Sequence, residues 1–481
     1  MIATIREIVL PRLTCNPKNR NGGTFQYVDI DALDNTRQII VAPKVIPIDG
    51  APSRARMLIY RGDVLFSLVR PYLKNIAVVT SGLDGEIAST AFCVLRPAKG
   101  IASHFLFYQL CQEPFINSIP TYGSSPPAAR DEEFLNMAIG IAPVNEQHRV
   151  VRKIDELFSY LDTGIAALER SKANLKRYRA AILKAAVDGE LTREWRVKNP
   201  PSGPAEKLLE RILIERRRRW EEEQLAKFAE KGQTPPKDWK HKYREPSKTD
   251  RIDIIPLSEG WCWTTIDAIA KVTKLAGFEY TKFVDYDPHG DLPVIKAENV
   301  GKDGFKHTNF SRVQSKAINH LTRSRLHGGE VLMVFVGAGV GQVARVPFDQ
   351  LYFLGPNVSV IKVTDKNVLP EYLEMYLRSP IGFKMAISFT KSVAQPSLSM
   401  ETIRKIPVVI PPIDEQRIAL QKINQYASIG QQTQLQLSVN LTRASRLRQA
   451  ILKDAFDGNL VPHDPADEPA TVLLERIKSE Q

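Results

Sequence analysis

Cysteine is scarce in this 481-residue chain, and its spacing suggests no pairing: Cys15, Cys93, Cys111 and Cys262 stand far apart, with no CxxC pair. Scattered thiols suit a reducing compartment and argue against a disulfide framework or a thiolate zinc site. The 8 histidines include no HExxH pair, the spacing that sets two imidazoles on one helix face for a metal. No apolar run approaches the roughly 18 residues of a membrane span. The N-terminal MIATIREIVLPRL lacks the apolar stretch and small-residue cleavage site of a signal peptide. These absences predict a cytoplasmic protein with no membrane contact. The Walker A pattern GxxxxGK[ST] is missing, which excludes a P-loop motor. No closely spaced acidic pair is followed by ExK on a strand, so no nuclease centre is visible. NPPS (Asn199–Ser202) falls one residue short of the NPP-aromatic motif of amino-methyltransferases, because Ser202 stands where a ring would stack on a flipped base. The expected catalytic set is therefore none, and the expected metal set is none.

What is present is positive charge and repetition. Lys and Arg exceed Asp and Glu by 12, against an ordinary 43% hydrophobic and 25% charged content. That balance points to an anionic partner, nucleic acid ahead of a membrane surface. The length allows two to four domains with real cores. Ile141–Ile154 (IAPVNEQHRVVRKI) returns as Ile410–Ile423 (IPPIDEQRIALQKI), and Tyr178–Leu191 (YRAAILKAAVDGEL) returns as Leu447–Leu460 (LRQAILKDAFDGNL), the latter pair identical at 9 of 14 positions. Both pairs share one offset of 269 residues, as 410 − 141 and 447 − 178 give. A period that long is a duplicated half-molecule rather than a solenoid.

The repeat organises the chain. Residues 1–145 form a first variable block, with strands expected at Gly62–Val69, Asn75–Val79 and Ala91–Pro97 and a helix at His104–Phe115. Residues 255–412 form a second block with the same order of parts: strands at Gly329–Val336 and Val358–Val363 and a helix at Leu369–Phe383. Between and after them, 146–190 and 413–458 read as long helices. In the first, Val150, Ile154, Leu157, Leu161, Ile165, Leu168, Leu175, Tyr178 and Ile182 fall at spacings of three and four, with one gap of seven, and make a seam for a partner helix. The second carries Ile423, Tyr426, Leu447 and Ile451 on the same line, with Gly430 and Gln434 loosening its middle. Asp188-Gly189 supplies a stop. Residues 191–254 form a basic linker with a helix, and 459–481 a C-terminal tail. The two segments echo each other in PAEKLLERI (Pro204–Ile212) and PATVLLERI (Pro469–Ile477). Arg216–Arg219 followed by Glu221–Glu223 reads as a solvated helix turn with internal ion pairs. The fold class is α+β: two mixed α/β domains separated by two long repeated helices in an antiparallel coiled coil, duplicated about a pseudo-two-fold.

One further motif invites a cofactor. VGAGVGQ (Val336–Gln342) contains GxGxG after a strand, but no GxGxxG is completed, no acidic residue follows at the required distance, and the first block has VRPYLKN (Val69–Asn75) in its place. A glycine-rich turn between strands is the reading that fits.

With these pieces in place the chain resembles the specificity subunit of type I restriction–modification enzymes over nearly its whole length. The resemblance rests on the GDVLFSLVRP-like strand of each block, on QPSLSMETIRKIPVVIPPIDEQ (Gln395–Gln416), on Pro followed by EQ at the mouth of each long helix, and on the AILKxAxDGxL helix ends. One departure is local: the first block has SSPPAARDEEFLNMAIGIAPVNEQ, so Pro126 stands where Gln395 does in the second. The resemblance implies a DNA-binding scaffold with two target-recognition domains, each reading half of a split site in double-stranded DNA. It implies docking to two methyltransferase subunits and to restriction (translocase–nuclease) subunits, with S-adenosylmethionine, ATP and magnesium in those partners and no cofactor in this chain. Candidate readers are polar and basic turn residues: Arg70, Tyr72, Lys74, Tyr122, Ser124 and Arg130 in the first block, and Lys306, His307, Arg323, Arg325, Lys391, Ser392 and Gln395 in the second. Arg and Gln suit base edges, and Lys suits phosphates. The seam residues Ile154, Leu157, Leu161, Leu168, Ile182, Ile423, Leu447 and Ile451 are core first and partner interface second. Two other readings stand beside this one: a self-contained DNA methyltransferase or nuclease with an unrecognised motif, and a coiled-coil adaptor that binds only protein.

Overall fold

Two 44-residue helices, Val144–Val187 and Ile413–Phe456, follow the two variable blocks. The structure is a computed structural model and describes residues 1–20, 22–201, 203, 205–247, 256–389 and 396–480. Acidic residues open each long helix, Glu146 in one and Asp414 and Glu415 in the other, where they complement the positive end of the helix dipole. Each helix ends at a glycine in the left-handed region, Gly189 at φ +82° and Gly458 at φ +80°, a conformation that side-chain-bearing residues adopt at a cost. The chain divides into two compact units, Met1–Ser171 with Gln436–Gln481, and Lys172–Leu435. Each unit therefore holds one variable block, the start of one long helix and the end of the other.

In the first unit, one four-stranded sheet runs Lys44–Pro47, Thr24–Val28, Glu86–Ser89, Ala55–Ile59, and a second runs Val9–Leu10, Phe92–Pro97, Val64–Ser67, Ile76–Val78. The second unit repeats both. Ser311–Val313, Leu292–Ile295, Tyr352–Leu354, Arg325–Leu326 form the first, and Ala270–Lys274, Val358–Val363, Val331–Val334, Val343–Arg345 the other. A parallel pairing also recurs, Glu86–Ser89 beside Thr24–Val28 and Leu292–Ile295 beside Tyr352–Leu354. A last two-stranded ribbon leads into each long helix: Ile2–Thr4 pairs with Ala138–Gly140, and Cys262–Thr265 with Pro407–Ile410.

The helix ends pack antiparallel within each unit. In the first, Ile154 shares a core with Ile451, Leu452 and Ala455, and Arg448 lies over the Phe158 ring at 4.3 Å with its guanidinium on Asp162. In the second, Tyr178 meets Tyr426 edge-on, and Arg179 lies against buried Gly430, where a Cβ would stand in ordinary contact at 3.4 Å from Arg179 Nε. Ile154 and Ile451 are buried, while Leu157, Leu161, Leu168, Ile182 and Ile423 are half-buried. Leu447 departs from the expected seam: it is 47% exposed, and the inward line passes through Leu441, Ala444, Arg448 and Leu452. At 100° per residue both Leu447 and Arg448 flank the same direction, and the Arg stem wins because Phe158 and Asp162 hold both its apolar and its charged parts.

Several elements differ from the expected pattern or add to it. The predicted helix over His104–Phe115 is two, Ser103–Leu110 and Glu113–Ser118, and that over Leu369–Phe383 is likewise two, Pro370–Arg378 and Pro380–Ser388. Pro114 and Pro380 lie in the first turn of the second piece, where a missing N–H costs nothing but a continuing helix is blocked. The stretch after Gln233 is more than a linker, because Trp239 is buried and stacks on Trp220 of the helix Ala205–Glu230. The C-terminal tail is also ordered. Its helix Ala470–Glu480 buries Leu473, Leu474 and Ile477 in the first unit, as the echoed Leu208 and Ile212 are buried in the second.

The second long helix is anchored by a buried carboxylate. Glu415, 1% exposed, accepts hydrogen bonds from Thr192 Oγ1 (2.6 Å), Arg196 Nε (2.9 Å) and Trp261 Nε1 (2.8 Å). Removing one partner of such a set strands the others without water. Glu415→Ala is expected to lose about 3 kcal/mol of stability, read as a lower urea midpoint, with Glu415→Gln losing less because it still accepts from Trp261.

Candidate nucleic-acid interface

The six candidate readers of the first block come from two loops, and the fold joins those loops. One is the turn between Val64–Ser67 and Ile76–Val78, the other the segment before the short helix Asp131–Leu135. Arg70 N–H donates to Pro127 O (2.9 Å) and Ala129 N–H to Leu68 O (2.9 Å), while Tyr122 and Ala128 exchange a pair of bonds at 2.8 and 2.9 Å. Arg70, Tyr72, Tyr122, Ser124 and Arg130 are all exposed on this joined surface. Arg130 stacks over the Tyr122 ring at 4.1 Å, and Tyr122 donates to Glu133 at 2.9 Å. That hydrogen bond to a carboxylate raises the Tyr122 phenol above its ordinary value. Lys74 is half-buried and paired with Glu113, so its charge is partly spent inside the fold. Leu73, at 38% exposure beside Tyr72 at 56%, also reaches solvent here. Sequence reasoning passed over it, since an aliphatic residue carries no signal that separates a contact surface from a core.

Arg70 and Lys74 both sit in the left-handed region, at φ +51° and +52°. Side chains there cost roughly 1–2 kcal/mol relative to an ordinary conformation. The Arg70 guanidinium has no hydrogen bond to any described residue, so the conformation is held by the turn and its joined loop, and the head group is left free. Strained side chains of this kind cluster at functional sites.

The second block repeats the frame with different chemistry. Phe335 O accepts from Leu398 N–H (2.8 Å), and Val336 bridges Ser397, just as Leu68 and Val69 meet Ala129 and Ala128. The turn itself is glycine-rich, with Gly337 at φ +99° and Gly341 at φ +82°. It joins two strands, so it lacks the helix N-terminus that cradles a pyrophosphate in a dinucleotide site. No described atom would lie within 4 Å of a Cβ built at Gly337. Lys391, Ser392 and Gln395 lie outside the described residues.

The other four candidates of this block do not gather at the turn. Lys306 and His307 follow the hairpin Val300–Gly301/Gly304–Phe305, with His307 Nδ1 3.8 Å from Asp349. Arg323 is ion-paired with Glu279, and Arg325, in the short strand Arg325–Leu326, donates to Asn319. Burial opposes charge on Glu279, yet Arg323 and the backbone at Ala276 keep its carboxyl below the usual range. Among the described residues, then, Arg323 and Arg325 serve internal pairs, and Lys306 and His307 form a separate exposed edge.

The chain is similar to several known proteins. Residues 259–440 match the family model of the type I restriction modification DNA specificity domain. The chain is 26% identical over 428 residues to the type I restriction enzyme EcoBI specificity subunit of Escherichia coli, covering 83% of this chain and 79% of that one. It is also 26% identical over 419 residues to the EcoKI specificity subunit of E. coli K12, covering 83% and 76%. In fold it is similar to a chain from a structure of type I R-M complex assembly and conformational transition (TM-score 0.63, 23% identity, 95% and 98% covered). It is likewise similar to the HsdS subunit from Thermoanaerobacter tengcongensis (TM-score 0.50, 24% identity, 95% and 97% covered).

If the Arg70 turn is strained for use and not for folding, glycine should relieve it. Arg70→Gly is expected to leave stability unchanged or raise it by up to about 1 kcal/mol, and a clear fall in the urea midpoint would show that the arginine is structural.

Proposed function

We propose that this chain, a specificity subunit of the type I restriction–modification family, reads a bipartite site in double-stranded DNA, one half with each variable block. As a specificity subunit it is a recognition component and not an enzyme. The observation that carries the two-part reading is the repeated frame: each block joins the segment ahead of a short helix, Asp131–Leu135 in one and Met400–Arg404 in the other, to the same strand-to-strand turn. The chemistry on that frame differs, with Arg70, Tyr72, Tyr122 and Arg130 in one and an open glycine turn in the other. One frame with two surfaces suits two short, unlike half-sites. Guanidinium groups can take two acceptors on a guanine edge, and the chain's excess of 12 positive charges favours the phosphate backbone.

In this reading the long helices carry docking faces for two methyltransferase subunits, and restriction subunits join the assembly in the cytoplasm. S-adenosylmethionine, ATP and magnesium act in those partners.

The test is methylation mapping with the chain assembled with methyltransferase partners. Two short half-sites with an unread gap are expected, and a single continuous site would overturn the proposal, as would methyl transfer by the purified chain alone. DNA binding should fall steeply with salt, since each neutralised phosphate contributes about −0.9 to the log–log slope. Arg70→Gly should weaken binding roughly tenfold to a hundredfold through one half-site only, leaving the other half-site sequence unchanged.

A further inference from the structure

Each long helix begins with a glutamine whose amide is fully buried and makes the same three hydrogen bonds. Gln147 Oε1 accepts from Ala102 N–H at 2.9 Å, and its Nε2 donates to Ala142 O at 2.9 Å and Gly100 O at 3.2 Å. Gln416 Oε1 accepts from Leu369 N–H at 2.9 Å, and its Nε2 donates to Pro411 O at 2.9 Å and Asn367 O at 2.8 Å. Both residues are 0% exposed. Ala102 and Leu369 immediately precede the block helices Ser103–Leu110 and Pro370–Arg378, and Ala142 and Pro411 lie on the approach to the long helices. One amide therefore ties three segments together: the turn inside the reader block, the chain entering the long helix, and the long helix's first turn. An N–H facing Oε1 and two carbonyls facing Nε2 admit only one amide orientation.

The residues around this joint are not repeated in the same way. The preceding glutamates differ in role: Glu146 faces His463 on the surface, while Glu415 is buried among Thr192, Arg196 and Trp261. The glutamine geometry is common to both halves although the neighbouring glutamates are not. Apolar packing resists separation but has little direction, whereas three hydrogen bonds to one planar amide fix rotation.

We infer that Gln147 and Gln416 are positioning residues that lock each reader block to its own long helix, and so set how strictly the complex holds the gap between half-sites. The inference rests on the two-part reading above. The glutamines do not touch DNA, so their loss should alter gap tolerance and leave the half-site bases as they are.

The experiment uses the full chain assembled with its methyltransferase partners and a DNA library in which both half-sites are fixed and the gap varies. Gln416→Met and Gln147→Met keep length and volume but make none of the three bonds. Each is expected to lower the preference for the parental gap over gaps one base pair longer or shorter by about tenfold, with half-site bases unchanged. Leu332→Ala, in the core of the second block, controls for lost stability and should weaken all gaps alike. Folded methionine variants with the parental gap preference would overturn the inference, as would variants that change the bases read. If Gln416→Met does not fold, Gln416→Asn, which keeps the amide one methylene short, carries the same test. A parent complex that showed no gap at all would instead refute the two-part reading.

Discussion

The structure depends on how each apolar helix end is covered. A long helix whose inward line is one residue wide gains little from propensity and must bury that line against something. Here the start of one helix and the end of the other share a core with a variable block and an echoed LLERI segment, Leu473, Leu474 and Ile477 in the first unit and Leu208 and Ile212 in the second. Midway along the helices the side chains are mostly exposed or half-buried. Stability is thus concentrated where variable block, helix and LLERI segment meet, which is also where any change of block orientation would have to begin.

The two halves solve that junction with different electrostatics. In the first unit several separate contacts close the junction: Arg149 to the largely covered Asp467 carboxylate at 2.7 Å, Asn145 to Asp467 at 3.1 Å, and the exposed Lys478 to Glu7 at 2.9 Å. In the second, one buried carboxylate gathers three donors. Exposed pairs contribute little and are screened by salt, while the buried set is costly to break from one side. The second junction is accordingly the more specific of the two in geometry, although the glutamine bonds beside each are alike.

Much of the fold was legible in the sequence because duplication supplies an internal control. The equal offset of two matches located both long helices, and Gly189 and Gly458 marked their ends through the conformation only glycine adopts cheaply. The strands at Val64–Ser67 and Val331–Val334 followed from continuous apolar runs. The breaks at Pro114 and Pro380 were also written in the sequence, but a proline in a helical pattern can open a helix as readily as end one. Leu447 was misjudged because periodicity fixes a direction to within a residue, and the choice between Leu447 and Arg448 depends on Phe158 and Asp162, nearly 290 positions away in sequence. The readers were the least legible. Whether an arginine is free, like Arg70, or committed, like Arg323 to Glu279, is a property of tertiary neighbours alone.

That distinction explains how one frame can present unlike surfaces. The joined loop holds the turn by backbone bonds, Ala129 to Leu68 in one block and Leu398 to Phe335 in the other, and backbone bonds do not depend on side-chain identity. The turn can then carry a strained arginine and a tyrosine in one copy and three glycines in the other without disturbing the strands beneath. A fixed amide at the helix mouth and a fixed backbone clasp at the turn leave the residues between them free to differ. In such a scaffold the turn residues can be substituted without altering the joints, and the joints without altering the turns, so the two are physically separable.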